Sequence, residues 1–569
     1  MLRSASVSEI RAAEEPLLAD DVPLMQQAAQ AVAAAVTDDG FQPPDHVVLL
    51  VGAGNNGGDA LWAGSYLASE GFTVTAYLLA DSVHAEGLAA LQANGGQVLR
   101  VIALTGSRQP IAARTGGMPD VAASSATNPL ANIPTVPVAV ASAQIAHAQV
   151  IIDGILGIGA NGALRGVASD LVQETDDYWG GKPLTPYQRG RRPWVIAVDC
   201  PSGILLDGEN AGQVPGPVLA ADHTVTFGAP KPGLELPPAS HYVGKLNVVD
   251  MGFDLQNSTS APQVETRGEV STPSAAGPHI QRLTADDVAY LLRVPGPADQ
   301  KYSRGVVGVV AGSSRYPGAA MLTTAAASNS GAGMVRYLGP ASVSQMVVAA
   351  HPEVTLGGGQ VQSWVLGPGI PTELSGDPDD GQLEKVRASL SQATGALPGA
   401  GGAVPAVVDA GALQAISKPL PPWVVLTPHA GELAALMSAH GVPTKRSDVE
   451  ANPLAAAQQA QKVLGGTIVL KGSTTLIVGP GGTVYSQADA PHWLATAGAG
   501  DVLAGLLGTM LAARAPEVIA DPNLAAEIAA AAVYLHGKAA DQANPGGPVT
   551  ASAVANRLPT TIAHVLNNA

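Results

Sequence analysis

Short apolar runs rich in valine and isoleucine recur along this chain, and most of them end in glycine or aspartate. Such runs are apolar on both faces, which is typical of strands buried in a parallel sheet. Helical segments such as 60–70 lie between them, and this alternation predicts a doubly wound α/β fold. The first series is VVLLVGAG at 47–54, VTAYLL at 74–79, VIIDGILG at 150–157, WVIAVDCPSG at 194–203, VTFGAP at 225–230 and LNVVDMG at 246–252.

A second series of the same kind follows, and it predicts a second domain. Single cores rarely grow past about 250–300 residues, and this chain has 569. The stretches 105–137 and 257–278 are rich in Ser, Thr, Gly and Pro, which predicts a surface insertion and a linker. We therefore predict domains at 1–256 and 281–569, joined by a linker at 257–280. The second series is GVVGVVAGS at 305–313, SWVLGPG at 363–369, AVVDAGAL at 406–413, WVVLTPH at 423–429, TIVLKG at 467–472 and a predicted hairpin at 474–486.

The charge balance and the single cysteine argue against several classes of protein. There are 46 Asp and Glu against 29 Lys and Arg, a net charge of −17, which disfavours nucleic-acid and anionic-membrane partners. Cys200 has no second cysteine to pair with in this chain, and it suits a reducing compartment. No run reaches the about 18 apolar residues of a membrane span. We therefore expect a cytoplasmic protein with neither nucleic acid nor membrane as a partner.

A glycine-rich turn, VGAGNNGGDALWAGSYL at 51–67, follows the first strand of the first series. We predict that a helix begins near Asp59. Free N–H groups at such a helix start can bind an anionic ligand. The alternative is a tight turn capped by Asp59, with no ligand. The ordinary dinucleotide fingerprint is not met, because the glycines lack its spacing and continuation.

Two later strands of the first series end in aspartate. Asp153 ends VIID, and Asp199 ends WVIAVD just before Ser202. Carboxyl ends of parallel strands converge on one crevice. Two carboxylates and a hydroxyl there could bind a monovalent cation or transfer protons. Alternatively, each aspartate only caps a neighbouring turn.

Four motifs, GAGNNGGDA, VIIDGILGIGANGALRG, VIAVDCPSG and VTFGAPKPG, resemble in sequence and order those of the NAD(P)H-hydrate epimerase family. The resemblance implies a Rossmann-like doubly wound domain in which Asn56, Asp153 and Ser202 hold a potassium ion (K+). It implies Asp199 as the catalytic proton shuttle at the hydroxyl-bearing C6 of the substrate. Ala60 departs from the family, which usually has glycine there. The residues implied to contact the hydrated nucleotide are Asn55, Asn56, Gly57, Gly58, Asp59, Gly157, Ile158, Gly159, Ala160, Asn161, Gly162, Ala163 and Asp199.

In the second half, ATAGAGDVLAGLLGTML at 495–511 joins a small-residue loop to a helical pattern. Amides at the helix start could stabilise a transferring phosphoryl group, with Asp501 as the base, or Asp501 could be an ordinary N-cap. LKGSTT places Lys471 at a strand end, where it could meet a nucleotide phosphate or remain a solvated turn residue. LTPHAGEL places His429 and Glu432 at a strand-to-helix junction, where His429 could bind a ligand or cap the helix.

The order GSSRYPGAA, GPGI, VVDAGAL, TPHAGE, LKGSTT and ATAGAGDVLAG over 281–543 resembles the ADP-dependent NAD(P)H-hydrate dehydratase family. The resemblance implies a ribokinase-like α/β domain with Asp501 as the catalytic residue. Three departures stand out: Gly411 where the family commonly has aspartate, Ala430 where proline is usual, and Ala499 where serine or threonine is usual. The implied hydrate contacts are Ala319, Gly369, His429 and Asp501, and the implied ADP or AMP contacts are Lys471, Gly472, Ser473, Thr474, Thr475 and Gly500.

Together the two resemblances imply repair of hydrated nicotinamide cofactors, NADHX and NADPHX. The first domain would interconvert the R and S epimers. The second would dehydrate the S epimer with ADP as co-substrate and magnesium (Mg2+), and it would release AMP and phosphate. We also expect a homo-oligomer. Two alternatives remain at this point: a small-molecule kinase in the second domain, and a ligand-sensing or scaffold module without turnover in the first.

Overall fold

The computed structural model describes residues 1–103, 130, 132–159, 162–179, 192–255, 279–372, 380–396 and 402–568. The chain forms two compact units. Ala5–Gly277 make up the N-terminal unit, and Met1–Ser4 with Pro278–Ala569 make up the C-terminal unit. The first four residues thus depart from the predicted 1–256 domain, because Leu2–Arg3 pairs antiparallel with Ile280–Arg282. Most of the predicted linker lies outside the described residues.

The N-terminal unit alternates strands and helices as the apolar runs predict. Strand β1 (Leu2–Arg3) belongs to the C-terminal unit. The strands of the N-terminal unit are β2 (His46–Val51), β3 (Thr73–Leu78), β4 (Gln97–Ile102), β5 (Thr135–Pro137), β6 (Val150–Gly154), β7 (Trp194–Val198), β8 (His223–Phe227) and β9 (Lys245–Val249). Its helices are α1 (Val7–Ala19), α2 (Leu24–Asp38), α3 (Asn55–Ser69), α4 (Ala85–Ala93), α5 (Val138–Ile145), α6 (Gly166–Tyr178) and α7 (Pro232–Glu235), with a 3₁₀ helix at Ala239–Tyr242.

All neighbouring strands of this eight-stranded sheet are parallel, in the order β5-β4-β3-β2-β6-β7-β8-β9. The strand order reverses between β2 and β6, and ligands of doubly wound sheets bind at such a switch point. The prediction of a surface insertion at 105–137 is wrong for its last three residues, 135–137. Thr135–Pro137 pairs with β4 as the edge strand, a position that tolerates proline because no further strand needs its N–H. Residues 105–129 and 131 of the insertion lie outside the described residues.

The strands of the N-terminal unit are buried on both faces. In β2, Val47, Leu49 and Val51 belong to one apolar cluster together with residues of α2 and α3. The alternate residues Val48 and Leu50 belong to a second cluster with residues of α5 and α6. Successive side chains of a strand point to opposite faces, so a run that is apolar at every position requires helices on both sides.

The C-terminal unit is built on the same principle around a larger sheet. Its further strands are β10 (Ile280–Arg282), β11 (Val306–Val310), β12 (Met334–Tyr337), β13 (Thr355–Leu356), β14 (Ser363–Leu366), β15 (Ala406–Val408), β16 (Leu420–Leu426), β17 (Gly465–Leu470), β18 (Thr475–Val478) and β19 (Val484–Gln487). Its helices are α8 (Ala285–Leu291), α9 (Pro317–Asn329), α10 (Ala341–Ala350), α11 (Gln382–Ala393), α12 (Ala430–Ala439), α13 (Arg446–Ala451), α14 (Pro453–Leu464), α15 (Ala499–Ala513), α16 (Ala515–Ala520), α17 (Leu524–Ala543) and α18 (Ala551–Asn568), with 3₁₀ helices at Ala410–Ala415, Pro480–Gly482 and His492–Leu494.

The strand order of the C-terminal sheet is β1-β10-β19-β18-β17-β16-β15-β14-β11-β12-β13. The seven strands from β17 to β13 run parallel to one another, whereas β17 and β18 pair antiparallel, and the order reverses between β14 and β11. The hairpin predicted at 474–486 is confirmed, because β18 and β19 pair antiparallel. Among the described residues, no helix combines the length and the apolar character that crossing a bilayer would require.

Helices α9 and α15 pack closely because small residues line their contact. A Cβ atom added at Gly505 of α15 would overlap the carbonyl oxygen of Thr323 and lie 3.0 Å from the Cβ of Ala326 in α9. Glycine therefore lets the two backbones approach each other. The small-residue pattern of α9 serves this packing.

We expect Gly505→Ala to lower the stability of the protein by about 1–3 kcal/mol, because the added methyl group overpacks the α9–α15 contact. The matched control is Gly318→Ala in α9, where nothing lies within 4 Å of the added atom. That change should be neutral or slightly stabilising, since alanine favours helices. Thermal midpoints of the full chain check both variants, and equal midpoints would contradict the packing argument.

Candidate functional site

The glycine-rich turn of the N-terminal unit is built for close backbone packing. Helix α3 begins at Asn55 with Gly54 as its N-cap, so the predicted start near Asp59 is wrong, as is the alternative that Asp59 caps the turn. A Cβ atom at Gly57 would overlap the carbonyl oxygen of Gly52. Backbone packed this closely leaves room only for glycine, and it holds the start of α3 against the strand end.

An open cleft of about 430 Å³ lies at the switch point between β2 and β6. The structure brings seven of the predicted contact residues together along it: Asn55, Asn56, Asp59, Gly157, Ile158, Gly159 and Asp199. Gly57, Gly58, Gly162 and Ala163 do not line it, and Ala160 and Asn161 lie outside the described residues. The nine lining residues that were not predicted contacts are Ile10, Arg11, Glu14, Ala53, Gly54, Ile155, Leu156, Phe227 and Lys231.

Asp153, Ser202 and Asn56 form one cluster beside the cleft. Ser202 donates to the Asp153 carboxylate from its backbone N (2.9 Å) and from its Oγ (2.6 Å). Asn56 Nδ2 donates to the carbonyl oxygen of Leu156 at 3.0 Å, and Ser202 Oγ lies 3.2 Å from the same oxygen. Burial raises the pKa of Asp153, although the bonds from Ser202 oppose that effect. One carboxylate and several neutral oxygens are a donor set that suits a hard monovalent cation.

Asp199 lies at the end of β7 with an unusual backbone conformation and a buried partner. Its φ angle is +64°, a left-handed value that is uncommon for residues other than glycine and often found at functional sites. The fully buried Lys231 Nζ donates to Asp199 Oδ1, and Thr226 Oγ1 donates to the same oxygen at 3.1 Å. Lys231 Nζ also donates to Thr226 Oγ1 at 2.9 Å. Asp199 is thus held by one charged and one neutral donor at the end of the cleft.

Asp59 and Glu14 face the same cleft without such a partner. Burial raises the pKa of Asp59 well above its usual range, and the nearby charges of Asp199 and Glu14 raise it further. Burial also raises the pKa of Glu14, with Asp199 as the next cause. The cleft therefore combines one ion-paired carboxylate with carboxyl groups that retain protons more readily.

In the C-terminal unit, Asp501 stands in the first turn of α15. The N-cap of this helix is Gly498, with φ +88°, so the alternative of Asp501 as an ordinary N-cap is wrong. Burial, reinforced by the charge of Asp409 and opposed by that of Lys471, raises the pKa of Asp501 to about 7. A carboxyl group with a pKa near neutral is suited to proton transfer at physiological pH.

Lys471 links the other charged groups of this site. Its Nζ lies 2.7 Å from Asp409 Oδ1 and 3.8 Å from Glu432 Oε2. Burial lowers the pKa of Lys471, but Asp409, Glu432 and Asp501 together raise it above its usual value. A Cβ atom added at Gly500 would lie 3.5 Å from Lys471 Nζ. The alternative of a solvated turn lysine is therefore wrong, because Lys471 is ion-paired beside the start of α15.

Asp409, at the end of β15, is the main charged partner that sequence reasoning did not single out. It is buried and accepts a 2.8 Å hydrogen bond from Thr427 Oγ1. Its signal in the sequence is the one that Asp153 and Asp199 carry, an aspartate directly after a buried apolar run. The same pattern, applied to every apolar run, predicts Asp409 as a site residue as well.

His429 acts as the N-cap of α12. Its Nδ1 accepts hydrogen bonds from the backbone N of Gly431 (3.0 Å) and of Glu432 (3.2 Å), and Glu432 Oε2 accepts one from the backbone N of His429. The capping alternative is therefore confirmed. The ring stays 58% exposed, and contact with a substrate remains a prediction. His429 and Lys471 form an isolated parallel β-bridge, so the two residues are neighbours just after the carboxyl ends of β16 and β17.

The remaining predicted contacts lie at the loops that follow β11, β14 and β17. Gly369 has φ +66°, and a Cβ atom there would lie 2.5 Å from the Cβ of Ala319, so these two residues pack together. Thr323, one turn after Ala319 in α9, donates to the Asp501 carbonyl at 3.2 Å and brings that helix to α15. Gly472, Ser473 and Thr474 form the turn between β17 and β18, and Thr475 begins β18.

The departures from the family pattern have local reasons. A Cβ atom at Gly411 would overlap the carbonyl oxygen of Ile370, so the usual aspartate does not fit this backbone. Ala60 is fully buried, and its methyl group packs closely on Gly154. Ala430 is the first residue of α12, where proline is also tolerated because an N–H is not needed. Ala499 is buried in the first turn of α15 and its backbone continues the helix.

Among the described residues, no group of three or more His, Cys, Asp or Glu side chains is arranged to hold a metal ion. The oxygen cluster around Asp153 contains a single carboxylate, and such a donor set suits a monovalent cation. In the C-terminal site, Asp409 is already bound by Lys471 and Thr427. Glu432 Oε1 makes no hydrogen bond with the described residues.

Two families match the chain. The family described as NAD(P)H-hydrate dehydratase matches residues 307–560, and that described as YjeF-related protein N-terminus matches residues 21–233. The bifunctional NAD(P)H-hydrate repair enzyme Nnr of Mycobacterium tuberculosis is 34% identical over 531 residues, covering 90% of this chain and 89% of that protein. Its counterpart in Mycobacterium leprae is 34% identical over 585 residues, covering 98% of each chain.

Two of the solved structures that resemble the chain each cover half of it. An ADP/ATP-dependent NAD(P)H-hydrate dehydratase from Bacillus subtilis, co-crystallised with ATP and Mg2+, is 26% identical with a TM-score of 0.42. It covers 50% of this chain and 99% of its own. A ribokinase-like superfamily protein from Enterococcus faecalis is 25% identical with a TM-score of 0.42, and covers 50% of this chain and 96% of its own.

We expect Lys231→Met to destabilise the protein by about 3–5 kcal/mol, because it leaves the buried Asp199 carboxylate without its charged partner. The double variant Lys231→Met with Asp199→Asn should recover most of that loss, since neither charge then remains. Thermal midpoints of the full chain measure both. A double variant no more stable than Lys231→Met would contradict the ion-pair explanation.

Proposed function

We propose a residue-level mechanism for this chain, which belongs to the family of bifunctional NAD(P)H-hydrate repair enzymes. Its N-terminal unit would interconvert the R and S epimers of NADHX and NADPHX. Its C-terminal unit would dehydrate the S epimer with ADP as co-substrate. The observation that carries the proposal is the position of Asp501, a partly buried carboxyl group with a pKa near 7 at the start of α15 and beside Lys471.

The dehydration solves a leaving-group problem. Hydration leaves a hydroxyl group at C6 of the nicotinamide ring, and hydroxide leaves poorly. Asp501 would remove the proton of that hydroxyl while the hydroxyl oxygen attacks the terminal phosphoryl group of ADP. AMP is released, and loss of phosphate from C6 together with a proton from C5 restores the C5=C6 double bond of the ring. The free N–H groups at the start of α15 would stabilise the phosphoryl charge.

The ADP would lie between the start of α15 and the turn after β17. Lys471 would pair with its phosphates, and Gly500 leaves room for them because it has no side chain. Gly472, Ser473, Thr474 and Thr475 would contact the nucleotide, whereas Ala319, Gly369 and His429 would contact the hydrate. Mg2+ would neutralise phosphate charge, and Glu432 is the carboxylate with an oxygen to offer it.

In the N-terminal cleft, Asp199 would act as base at C6. Lys231 would hold its carboxylate in place, and Asn55, Asn56, Asp59 and residues 157–163 would position the nucleotide. Asn56, Asp153 and Ser202 would hold K+, which would supply positive charge beside the substrate. With both activities, all of the hydrated cofactor could be repaired. The epimerase would convert the R epimer into the S epimer, which the dehydratase would then consume.

We expect Asp501→Asn to lose ADP-dependent dehydration of the S epimer by about 10²–10⁴-fold, because the amide cannot accept the hydroxyl proton. Recovery of the reduced-nicotinamide absorbance measures dehydration, and epimer exchange followed by NMR on the same sample is the control for folding. Near-normal dehydration by Asp501→Asn would contradict the assignment. A stable phosphorylated product would instead identify the C-terminal unit as a small-molecule kinase.

The dehydration rate should also depend on pH through Asp501. The base must be ionised, so kcat/KM should fall about tenfold per pH unit below the pKa of about 7 and level off above it. Asp409→Asn should move this midpoint to lower pH, because the charge of Asp409 raises the pKa of Asp501. A pH-independent kcat/KM between pH 5.5 and 9 would show that Asp501 is not the base.

A further inference from the structure

We propose that Asp59 is a second catalytic residue of the N-terminal cleft, the acid that protonates the departing C6 hydroxyl while Asp199 acts as base for the water that replaces it. The inference rests on the proposed epimerase function. It gives Asp59 a chemical step in addition to the substrate contact that the family resemblance implies.

Asp59 is buried, lines the cleft and has no bonded partner among the described residues, so it is placed to act as an acid on a ligand in the cleft. The residue lies in the second turn of α3, is only 8% exposed, and lines the cleft. It makes no hydrogen bond or ion pair with any residue that the structure describes. A buried carboxylate without partners is costly, and it is rarely retained for structural reasons alone. Asp199 lines the same cleft from the end of β7.

The charges around Asp59 favour its protonated form. Glu14 and Arg11 face the cleft from α1, Asp199 faces it from β7, and Lys231 follows β8. His84, which precedes α4, packs on Gly58. Lys231 is committed to Asp199, so Asp59 has no cation of its own. Its raised pKa agrees with this arrangement. Two carboxyl groups whose environments differ in this way are suited to act as acid and base.

The step consists of loss of one water molecule from C6 and addition of another. Asp59 gives its proton to the C6 hydroxyl, the C6–O bond breaks, and water leaves while the N1 lone pair forms an N1=C6 double bond. A second water molecule adds to the opposite face of C6 as that π pair returns to N1, and Asp199 takes the proton. Exchange of one proton through solvent from Asp199 to Asp59 restores the starting state. No oxidant, reductant or further reactant is needed.

The test uses the full chain with the R hydrate and follows epimer interconversion by NMR. Asp59→Asn keeps the size and polarity of the side chain but cannot donate the proton. We expect kcat for epimerisation to fall by about 10²–10⁴-fold with little change in KM. Asp170→Asn, at an exposed aspartate of α6, is the matched control and should keep the wild-type rate. A cooperative thermal transition with both units' signals retained shows that each preparation is folded, and dehydration of the S epimer shows that the C-terminal unit is active.

A second measurement needs no variant. In ¹⁸O-labelled water, each inversion by the wild-type chain should place one solvent oxygen at C6. Inversion without ¹⁸O uptake would overturn the proposed step, as would an Asp59→Asn variant that keeps its rate while Asp199→Asn loses it. Either result leaves the epimerase function standing. A wild-type chain that does not interconvert the epimers would overturn both the inference and the proposed function.

Discussion

Both candidate sites depend on one constraint, the common direction of the parallel strands. Because neighbouring strands run the same way, their carboxyl ends all emerge at one edge of each sheet. In the N-terminal unit, Asp153 and Asp199 end β6 and β7 there. In the C-terminal unit, Asp409, His429 and Lys471 follow β15, β16 and β17. The residues that carry chemistry are therefore far apart in sequence yet adjacent in each site.

The strands could be predicted where burial alone decides them. Runs that are apolar at every position, such as Val47–Val51 in β2, have no alternative to a strand covered on both faces. Short edge strands carry no such signal. Leu2–Arg3 is exposed and becomes a strand only because Ile280–Arg282 is present to pair with it. Thr135–Pro137 likewise depends on the exposed edge of β4. Tertiary pairing fixes these elements, and local sequence does not show it.

The start of α3 shows a different limit of sequence reasoning. Asn and Gly at 55–58 are weak helix formers, so the pattern predicts a helix from about Asp59. The structure starts the helix at Asn55 because Gly57 packs on Gly52 at the strand end. That shift moves Asp59 from a cap into the second turn of the helix, where its side chain lines the cleft. A long-range contact thus decides the role of a residue that the motif had already singled out.

The position of one lysine in each site explains why that site contains both an ion-paired carboxyl group and one without a bonded cation. Lys231 pairs with Asp199 in one unit, and Lys471 pairs with Asp409 in the other. A second aspartate, Asp59 or Asp501, lies near each pair without a bonded cation. One lysine cannot neutralise two neighbouring carboxylates, and burial disfavours the second charge. Each unit therefore holds one carboxylate in an ion pair and leaves the other able to exchange a proton, although the two motifs share no sequence pattern. This common solution follows from electrostatics in a partly buried site, where a fully charged cluster would be unstable and a fully paired one would have no proton to move.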